Sequence, residues 1–210
     1  MFNSNAIGFV AYQLDQSAGA ELLLEDVTAS YNSPGEGLRQ GQGISISGTG
    51  MTLRNVEAHH NHQSGILIRG YYYLGNSNGT DGLISITLEG LINSTENGKY
   101  SDHIALSNIS SVYNTGYDGI SITSYGGVPT VGSVSIKGEI FANSNGQFGF
   151  SIPDPETNVT VSNDASLTAC ENADIDIFNN SSSRFITLSS QSYTCDSDLV
   201  ICNKCPVSLN

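Results

Sequence analysis

Residues 53–61 have the sequence Leu-Arg-Asn-Val-Glu-Ala-His-His-Asn, and this stretch decides the fold because it recurs along the chain. Residues 24–32 (Leu-Glu-Asp-Val-Thr-Ala-Ser-Tyr-Asn) and residues 106–114 (Leu-Ser-Asn-Ile-Ser-Ser-Val-Tyr-Asn) follow the same pattern. A form one residue longer occupies residues 88–97 and 136–145, and a shorter match ends at Asn172. The closing asparagines recur at intervals of roughly 28 residues, although the step from Asn97 to Asn114 is shorter. Self-similarity at this period indicates a repeat protein.

A second element, Gly-apolar-x-apolar, follows most of these asparagines. It occupies residues 43–46, 65–68, 119–122 and 149–152, with variants at residues 103–106 and 174–177. Apolar and polar residues alternate in both elements, which is typical of short strands with one buried face. Two such strands cannot bury that face alone, whereas stacked units can. We expect the recurring asparagines to stack as well, with each side-chain amide bonding the next one and the local backbone.

These Gly-Ile-x-Ile and x-Asn-Val-x-Ala-x-x-Asn units resemble the coils of right-handed parallel β-helix proteins of the pectin-lyase-like superfamily. The resemblance covers roughly residues 20–178. It implies an all-β fold, a right-handed parallel β-helix solenoid of about six to seven coils. The superfamily includes polysaccharide lyases, hydrolases, uronan epimerases, phage tailspikes and adhesins, so the resemblance leaves the chemistry open.

The repeat and the cysteines together divide the chain into three parts. Residues 1–19 are expected to form an N-terminal cap or partial coil, residues 20–178 the β-helix, and residues 179–210 a Cys-rich C-terminal cap. An even, clustered set of cysteines predicts two disulfides that staple this end, with three pairings open. A four-Cys zinc site is the alternative, but a single pair has the spacing of zinc ligands. The four cysteines are Cys170, Cys195, Cys202 and Cys205.

Composition bears on compartment and partners. The formal net charge of −13 opposes binding to nucleic acid, which needs a basic surface for the phosphates. No apolar run is long enough to span a bilayer, so we expect no membrane insertion. Together with the cysteines, the Asn-x-Ser/Thr acceptors predict a secreted glycoprotein at the cell surface or outside the cell. The acceptors are Asn78, Asn93, Asn108, Asn158, Asn179 and Asn180.

One cluster of titratable residues stands out in a chain poor in charge. In the repeat frame, residues 60–64, 99–103 and 115–118 are equivalent turns, and stacked strands lie about 4.8 Å apart. A lyase or epimerase needs a base, an acid and a cation, whereas a glycoside hydrolase needs two carboxylates, here Asp102 and Asp118. Polar turns on a soluble β-helix are the competing interpretation. The candidate catalytic residues are His62, Asp102, His103, Tyr117 and Asp118.

Long insertions mark the candidate substrate groove. Residues 71–82 and 124–132 leave the same end of equivalent strands and would form a lip over a lateral groove. No cofactor is specified by a motif, but carboxylates near this groove would suit Ca²⁺, with Asp81, Asp102 and Asp118 as ligands. The candidate substrate-binding residues are His59, His60, Arg69, Tyr71, Tyr72, Tyr73, Lys99 and Tyr125.

The sequence therefore predicts an extracellular β-helix that binds or modifies a polysaccharide in a lateral groove, and whether it is an enzyme stays open. The alternative is a non-catalytic structural or adhesive module, part of a larger chain or surface assembly. A third interpretation is ice binding by an outward column made by Thr52, Thr87, Ser135 and Thr160. The adjacent charged column of Arg54, Glu89 and Lys137 argues against a flat face of that kind.

Overall fold

The computed structural model describes residues 2–3, 7–12, 21–33, 41–69, 82–98, 117–123, 130–152, 157–162, 164–173, 175–179 and 200–202. These residues form strands and no helix. Accordingly, the part of the chain described contains no helix long and apolar enough to cross a membrane. The strands are β1 (Phe2–Asn3), β2 (Ile7–Tyr12), β3 (Leu22–Ser30), β4 (Gln42–Ser47), β5 (Thr49–His59), β6 (Ile66–Arg69), β7 (Gly82–Thr95) and β8 (Ile120–Thr123). They continue as β9 (Thr130–Ile136), β10 (Glu139–Phe141), β11 (Phe148–Ile152), β12 (Thr157–Val161), β13 (Ser166–Thr168), β14 (Ile175–Asn179) and β15 (Val200–Cys202).

The strands form two sheets, and every pairing between them is parallel. Sheet A has the order β1-β3-β5-β7-β10-β13, with β9 and β12 extending it beside β7. Sheet B has the order β2-β4-β6-β8-β11-β14-β15. The chain therefore passes from one sheet to the other and returns to lie beside its previous pass. The prediction of an all-β fold with parallel sheets is confirmed, and the arrangement is compatible with a β-helix.

Sheet A bends along a column of left-handed residues inside its long strands. Asp26, Asn55 and Gly90 have φ values of 53°, 52° and 67°. The Asn55 side chain bridges this column: its Nδ2 donates to Asp26 Oδ1 at 3.1 Å, and its Oδ1 accepts from Leu91 N at 3.2 Å. Here Gly90 and Leu91 lie opposite Asn55 alone, which is a β-bulge.

The core consists of apolar columns that run from strand to strand. In sheet B the register aligns Ile44, Ile66, Ile120, Phe150 and Ile177, all of them buried. In sheet A another column contains Leu24, Leu53, Leu88 and Ile136. Alternating apolar residues therefore point inward from both sheets, as predicted. Burial of this apolar area supplies the main favourable free energy of folding.

The recurring asparagines form an asparagine ladder made of Asn32, Asn61, Asn97, Asn145 and Asn172. Each amide Nδ2 donates to Oδ1 of the next asparagine, over 2.8, 2.9, 3.1 and 3.0 Å in that order. Each Oδ1 also accepts the backbone N–H of the preceding asparagine in the ladder. The predicted stacking is confirmed. The ladder satisfies polar groups that burial would otherwise leave without hydrogen bonds.

The glycine of each Gly-apolar-x-apolar element makes room for this ladder. A Cβ at Gly43 would lie 2.7 Å from Asn61 Nδ2, and a Cβ at Gly119 would lie 2.5 Å from Asn145 Nδ2. Carbonyl oxygens of the next glycine in the column lie equally close. The asparagine element and the Gly-apolar-x-apolar element therefore depend on each other, because the asparagine amide occupies the space that a side chain at the glycine would take.

The predicted repeat register is wrong between Asn97 and Asn145. Asn97 bonds directly to Asn145, so the ladder has no step through Asn114. Likewise, β6 pairs directly with β8, which leaves no place for a strand at residues 103–106 between them. The backbone of Tyr117 packs against Gly98, where a Cβ would lie 2.8 Å from Tyr117 Cα. Gly98 and Tyr117 thus belong to one turn, and residues 99–116 are an insertion between them in the sequence. Asn114 itself lies outside the described residues.

The outer faces of the two sheets differ in exposure. On sheet A the predicted column of Thr52, Thr87, Ser135 and Thr160 is in register and points outward. In the neighbouring charged column, Arg54 and Glu89 are register partners. Lys137 follows on the next strand, where its backbone N donates to Leu88 O. On sheet B the corresponding outward residues are buried: Ser45, Leu67, Ser121 and Ser151. The outer face of sheet B is therefore closed to solvent along this row.

The two ends of the described chain continue the sheets. Within residues 1–19, β1 and β2 pair with β3 and β4. Within residues 179–210, β15 pairs with β14, so sheet B extends into the segment predicted as a cap. Cys170 is disulfide-bonded. The predicted cross-linking of this end by two disulfides stays a prediction.

Candidate functional site

The residue before each ladder asparagine has an unusual backbone. These residues have φ values between 54° and 58°, in the left-handed region that side chains other than glycine seldom adopt. Each of these residues therefore interrupts the alternation of side chains where a pass of the chain through sheet A ends. The residue that follows is the ladder asparagine, whose side chain points inward. We call this set the left-handed column: Tyr31, His60, Glu96, Ser144 and Glu171.

One end of this column carries a compact group of rings and a carboxylate, which we call the edge cluster: Tyr31, His59, His60 and Glu96. The Tyr31 and His60 rings stack with centroids 4.9 Å apart. The His59 ring meets both others edge-on, at 6.0 Å from Tyr31 and 5.2 Å from His60. Tyr31 is 56% exposed, so the cluster presents an aromatic surface to solvent.

Hydrogen bonds orient the histidines of the edge cluster. His60 Nε2 lies 2.8 Å from Glu96 Oε2, and His60 Nδ1 lies 3.0 Å from His59 Nδ1. A carboxylate only accepts, so the proton on this side of His60 resides on Nε2. The cluster therefore combines ring faces with hydrogen-bonding groups that are held in place by one another.

Among the predicted catalytic residues, the structure describes His62, Tyr117 and Asp118. They lie in adjacent turns, because Gly65 N donates to Asp118 O over 3.0 Å. The sequence predicted a further turn, residues 99–103, between the turn of His62 and that of Asp118. In the structure these two turns are direct neighbours, because residues 97–98 and 117–119 belong to the same turn. Asp102, His103 and Lys99 belong to the insertion of residues 99–116 and lie outside the described residues.

The side chain of Asp118 is fully buried on the outer face of sheet B. Ser151 Oγ donates to Asp118 Oδ2 at 2.6 Å, and lies 3.0 Å from Ser121 Oγ. A carboxylate used in general acid–base catalysis must reach the substrate proton directly or through one water. The observed contacts instead give Asp118 a place in a buried polar network. His62 and Tyr117 are each partly exposed.

The predicted lip of the groove has its starting points side by side. Arg69 and Thr123 are register partners at the ends of β6 and β8, and both insertions start directly after them. Arg69 is partly exposed at this position. The predicted bounds of both insertions are too long, because Gly82 begins β7 and residues 130–132 belong to β9. The rest of both insertions lies outside the described residues, and so do the remaining candidate ligands of substrate or calcium: Tyr71, Tyr72, Tyr73, Asp81 and Tyr125.

Over the described residues, no three His, Cys, Asp or Glu side chains are grouped so as to hold a metal ion. Of the predicted calcium ligands, the structure describes only Asp118, whose Oδ2 accepts from Ser151. The predicted calcium site therefore stays a prediction.

The charged row on sheet A is built by a different set of contacts. Arg54 Nη1 donates to Glu25 Oε1 at 2.8 Å, and Arg54 Nε donates to Glu89 Oε1 at 2.6 Å. The hydrogen bond with Glu25, followed by that with Glu89, raises the pKa of Arg54 above its ordinary value. This arginine is charged at every physiological pH in any case, so the row is an exposed ion-pair network rather than a reactive centre.

Sequence reasoning found the two histidines of the edge cluster but missed Tyr31 and Glu96. A signal was present, because each occupies the position directly before a ladder asparagine. The recurring pattern does not mark them, because the residue at this position differs from turn to turn. When the repeats are aligned on the ladder asparagine, Tyr31, His60 and Glu96 occupy the same position in successive turns.

Comparison with known proteins adds no family to this picture. No protein-family model, no curated protein and no solved structure matches the chain.

Proposed function

We propose that the protein is a secreted or cell-surface right-handed parallel β-helix that binds a polysaccharide at the edge cluster. The observation that carries the proposal is the exposed stack of Tyr31 on His60 beside the Glu96 carboxylate. Aromatic faces pack against the C–H surface of a sugar ring, and planar polar groups bond its hydroxyls.

The β-helix part of the proposal is supported by the pairing of each strand with its equivalent in the next pass. The asparagine ladder and both apolar columns repeat with that pairing. Solenoids of this kind offer a continuous lateral surface suited to a linear polymer. A binding site at the turn column would lie along that surface.

The charge of the chain narrows the type of polysaccharide. A protein with a formal net charge of −13 repels an acidic polymer, and the edge cluster itself contains Glu96. We therefore propose a neutral glycan. The burial of Asp118 against Ser151 supports binding without turnover.

A secreted location and a cross-linked C-terminal end belong to the same proposal. Cys170 is disulfide-bonded, and such bonds persist in oxidising compartments. Non-reducing and reducing electrophoresis of the protein from its native source, with and without enzymatic deglycosylation, tests both points. A chain without disulfides or glycans would contradict this part.

Binding is tested on an array of neutral and acidic polysaccharides with the wild-type protein and two variants. Tyr31→Ala removes the exposed ring and is expected to lower affinity for the bound glycan at least about tenfold, because such anchors dominate binding energy. Leu23→Ala is the matched control, since Leu23 is 48% exposed on sheet A away from the cluster. Equal binding by Tyr31→Ala and the wild type would contradict the proposed site. Absence of any bound glycan would favour a purely structural module.

A polysaccharide-modifying enzyme is the second candidate. It is favoured by the contact between Gly98 and Tyr117, the two residues that flank the insertion. Gly98 N also donates to Asn61 O, so both ends of the segment that contains Lys99, Asp102 and His103 lie beside the turn of His62. Product formation from a panel of polysaccharides, with and without calcium, tests this candidate. Activity that His62→Ala, Asp102→Ala and His103→Ala all abolish would establish it, whereas binding without product would exclude it for that panel.

A further inference from the structure

The left-handed backbone at His60 brings two neighbouring imidazoles together. Side chains of consecutive residues in a strand point to opposite faces. The φ of 55° at His60 breaks this alternation directly after β5. As a result, the Nδ1 atoms of His59 and His60 lie only 3.0 Å apart, with the ring planes at 84°.

Glu96 determines which nitrogen of His60 is available on that side. Its Oε2 lies 2.8 Å from His60 Nε2, so Nε2 carries a proton and donates to the carboxylate. In neutral imidazole the other nitrogen then has the lone pair, and His60 Nδ1 accepts the proton of His59 Nδ1–H. A single proton therefore occupies the space between the two Nδ1 atoms.

We infer that His59 and His60 bind a divalent transition-metal ion through their Nδ1 atoms, with Glu96 orienting His60 from the other side. The metal takes the place of the shared proton between the two Nδ1 atoms. His59 then carries its proton on Nε2 instead of Nδ1, so both imidazoles bind as neutral ligands, and water fills the remaining coordination positions. A carboxylate that accepts from the second nitrogen of a ligating histidine is the usual partner of such a ligand. The proposed site has two protein ligands.

The separation of the nitrogens selects the class of metal. With metal–nitrogen bonds of about 2.0–2.1 Å, two ligands at a right angle lie about 2.9 Å apart and two at the tetrahedral angle about 3.4 Å apart. The observed 3.0 Å is set by the hydrogen bond between the rings, and it lies near the spacing of adjacent positions in a square-planar or tetragonal complex, so little movement of the rings is needed to bind such an ion. Cu²⁺ and Ni²⁺ prefer that geometry with imidazole ligands, whereas Ca²⁺ requires oxygen ligands.

The inference does not depend on polysaccharide binding, because the titration uses the protein alone. Copper(II) chloride is titrated into the wild-type protein, His59→Ala, His60→Ala, Glu96→Gln and His62→Ala. Calorimetry measures the affinity, and electron paramagnetic resonance counts the coordinating nitrogens. His62→Ala is the matched control, since it removes a nearby histidine outside the pair.

The wild type and His62→Ala are expected to bind one copper ion with two imidazole nitrogens. His59→Ala and His60→Ala are expected to lose this signal. Glu96→Gln is expected to retain two nitrogens but bind about 10- to 100-fold more weakly, as when an outer-shell partner is changed. The inference is overturned if the wild type binds copper no better than His59→Ala, or if His62→Ala loses binding equally.

Discussion

The asparagine ladder and the left-handed column are neighbours in sequence, yet they behave as opposites. At every described turn, the asparagine points inward and bonds its equivalents above and below. The residue directly before it points outward, and it is tyrosine, histidine, glutamate or serine in different turns. A one-residue step therefore separates the part that builds the stack from the part that is free to vary.

The difference teaches where function can reside in a repeat protein. The backbone of the left-handed column is the same at each turn because the ladder beside it imposes the turn, even on residues that adopt this conformation reluctantly. Side chains there carry little of the fold. They can consequently be exchanged for binding groups, as at Tyr31, His60 and Glu96, where rings and a carboxylate contact one another.

The largest effect is expected from Asn97→Ala, in the middle of the ladder. The change removes the hydrogen bonds that the Asn97 side chain makes in the interior with Ala58 O, Asn61 N, Asn61 Nδ2 and Asn145 Oδ1. Loss of these buried hydrogen bonds is expected to lower the free energy of unfolding by about 4 kcal/mol in total. Urea denaturation measures it, with Glu96→Ala as the adjacent control, expected to change stability by less than about 1 kcal/mol. Similar losses in the two variants would remove the contrast between the columns.

Gly119→Ala is expected to disturb the same ladder by placing a methyl group against one of its asparagines. The new Cβ would lie 2.5 Å from Asn145 Nδ2 and 2.7 Å from Gly149 O, and backbone on the second side cannot move cheaply. Overpacking of this kind is expected to destabilise by about 2–3 kcal/mol. Ser133→Ala, at an exposed position of β9, is the control for a change to alanine that creates no close contact. A stability equal to that of the control would show that the turn adjusts more readily than the register suggests.

Asp118→Asn separates a buried structural carboxylate from a catalytic one. The amide keeps an oxygen for Ser151 Oγ but loses the charge that strengthens this 2.6 Å hydrogen bond, so a loss of about 1–2 kcal/mol is expected. Thermal unfolding measures the loss, and glycan binding should be unchanged. Loss of glycan turnover at full stability would instead place Asp118 in a catalytic site.

The smallest effect is expected from Ser144→Gly in the left-handed column. Glycine relieves a φ of 56° but loses more conformational freedom on folding, and these terms, each about 1 kcal/mol, nearly cancel. The exposed hydrogen bond from Ser144 Oγ to Glu171 is also lost. Stability within about 0.5 kcal/mol of the wild type is expected by urea denaturation. A large loss would mean that the column contributes to the fold as the ladder does.

Much of the fold was accessible from the sequence because its signals are local. Alternation assigned the inward faces of β4, β5, β6, β8 and β11, and the recurring asparagine predicted the ladder. The register failed at residues 99–116, since an insertion that contains a repeat-like stretch ending in Asn114 is indistinguishable from a coil by pattern alone. Which carbonyl or amide lies next to Asn97 depends on the pairing of distant strands.

The candidate site was less accessible for the same reason. The histidines drew attention by composition, but the approach of Tyr31, His60 and Glu96 spans three turns of the chain. Conversely, Ser121 and Ser151 alternate with inward-pointing isoleucines and so lie on the outward face of their strands, yet both are buried with Asp118. Local pattern gives the face of a strand, while exposure depends on what lies against that face.

The sequence by itself determined the repeating unit, the inward apolar columns, the asparagine ladder and the glycines that accommodate it. Periodicity suffices for these because every copy must meet its neighbour in the same way. Only the tertiary structure decided the direct step from Asn97 to Asn145, the burial of Asp118 and the meeting of His59 and His60 with Tyr31 and Glu96. Those depend on insertion length, on covering segments and on a left-handed backbone, none of which leaves a periodic trace in the chain.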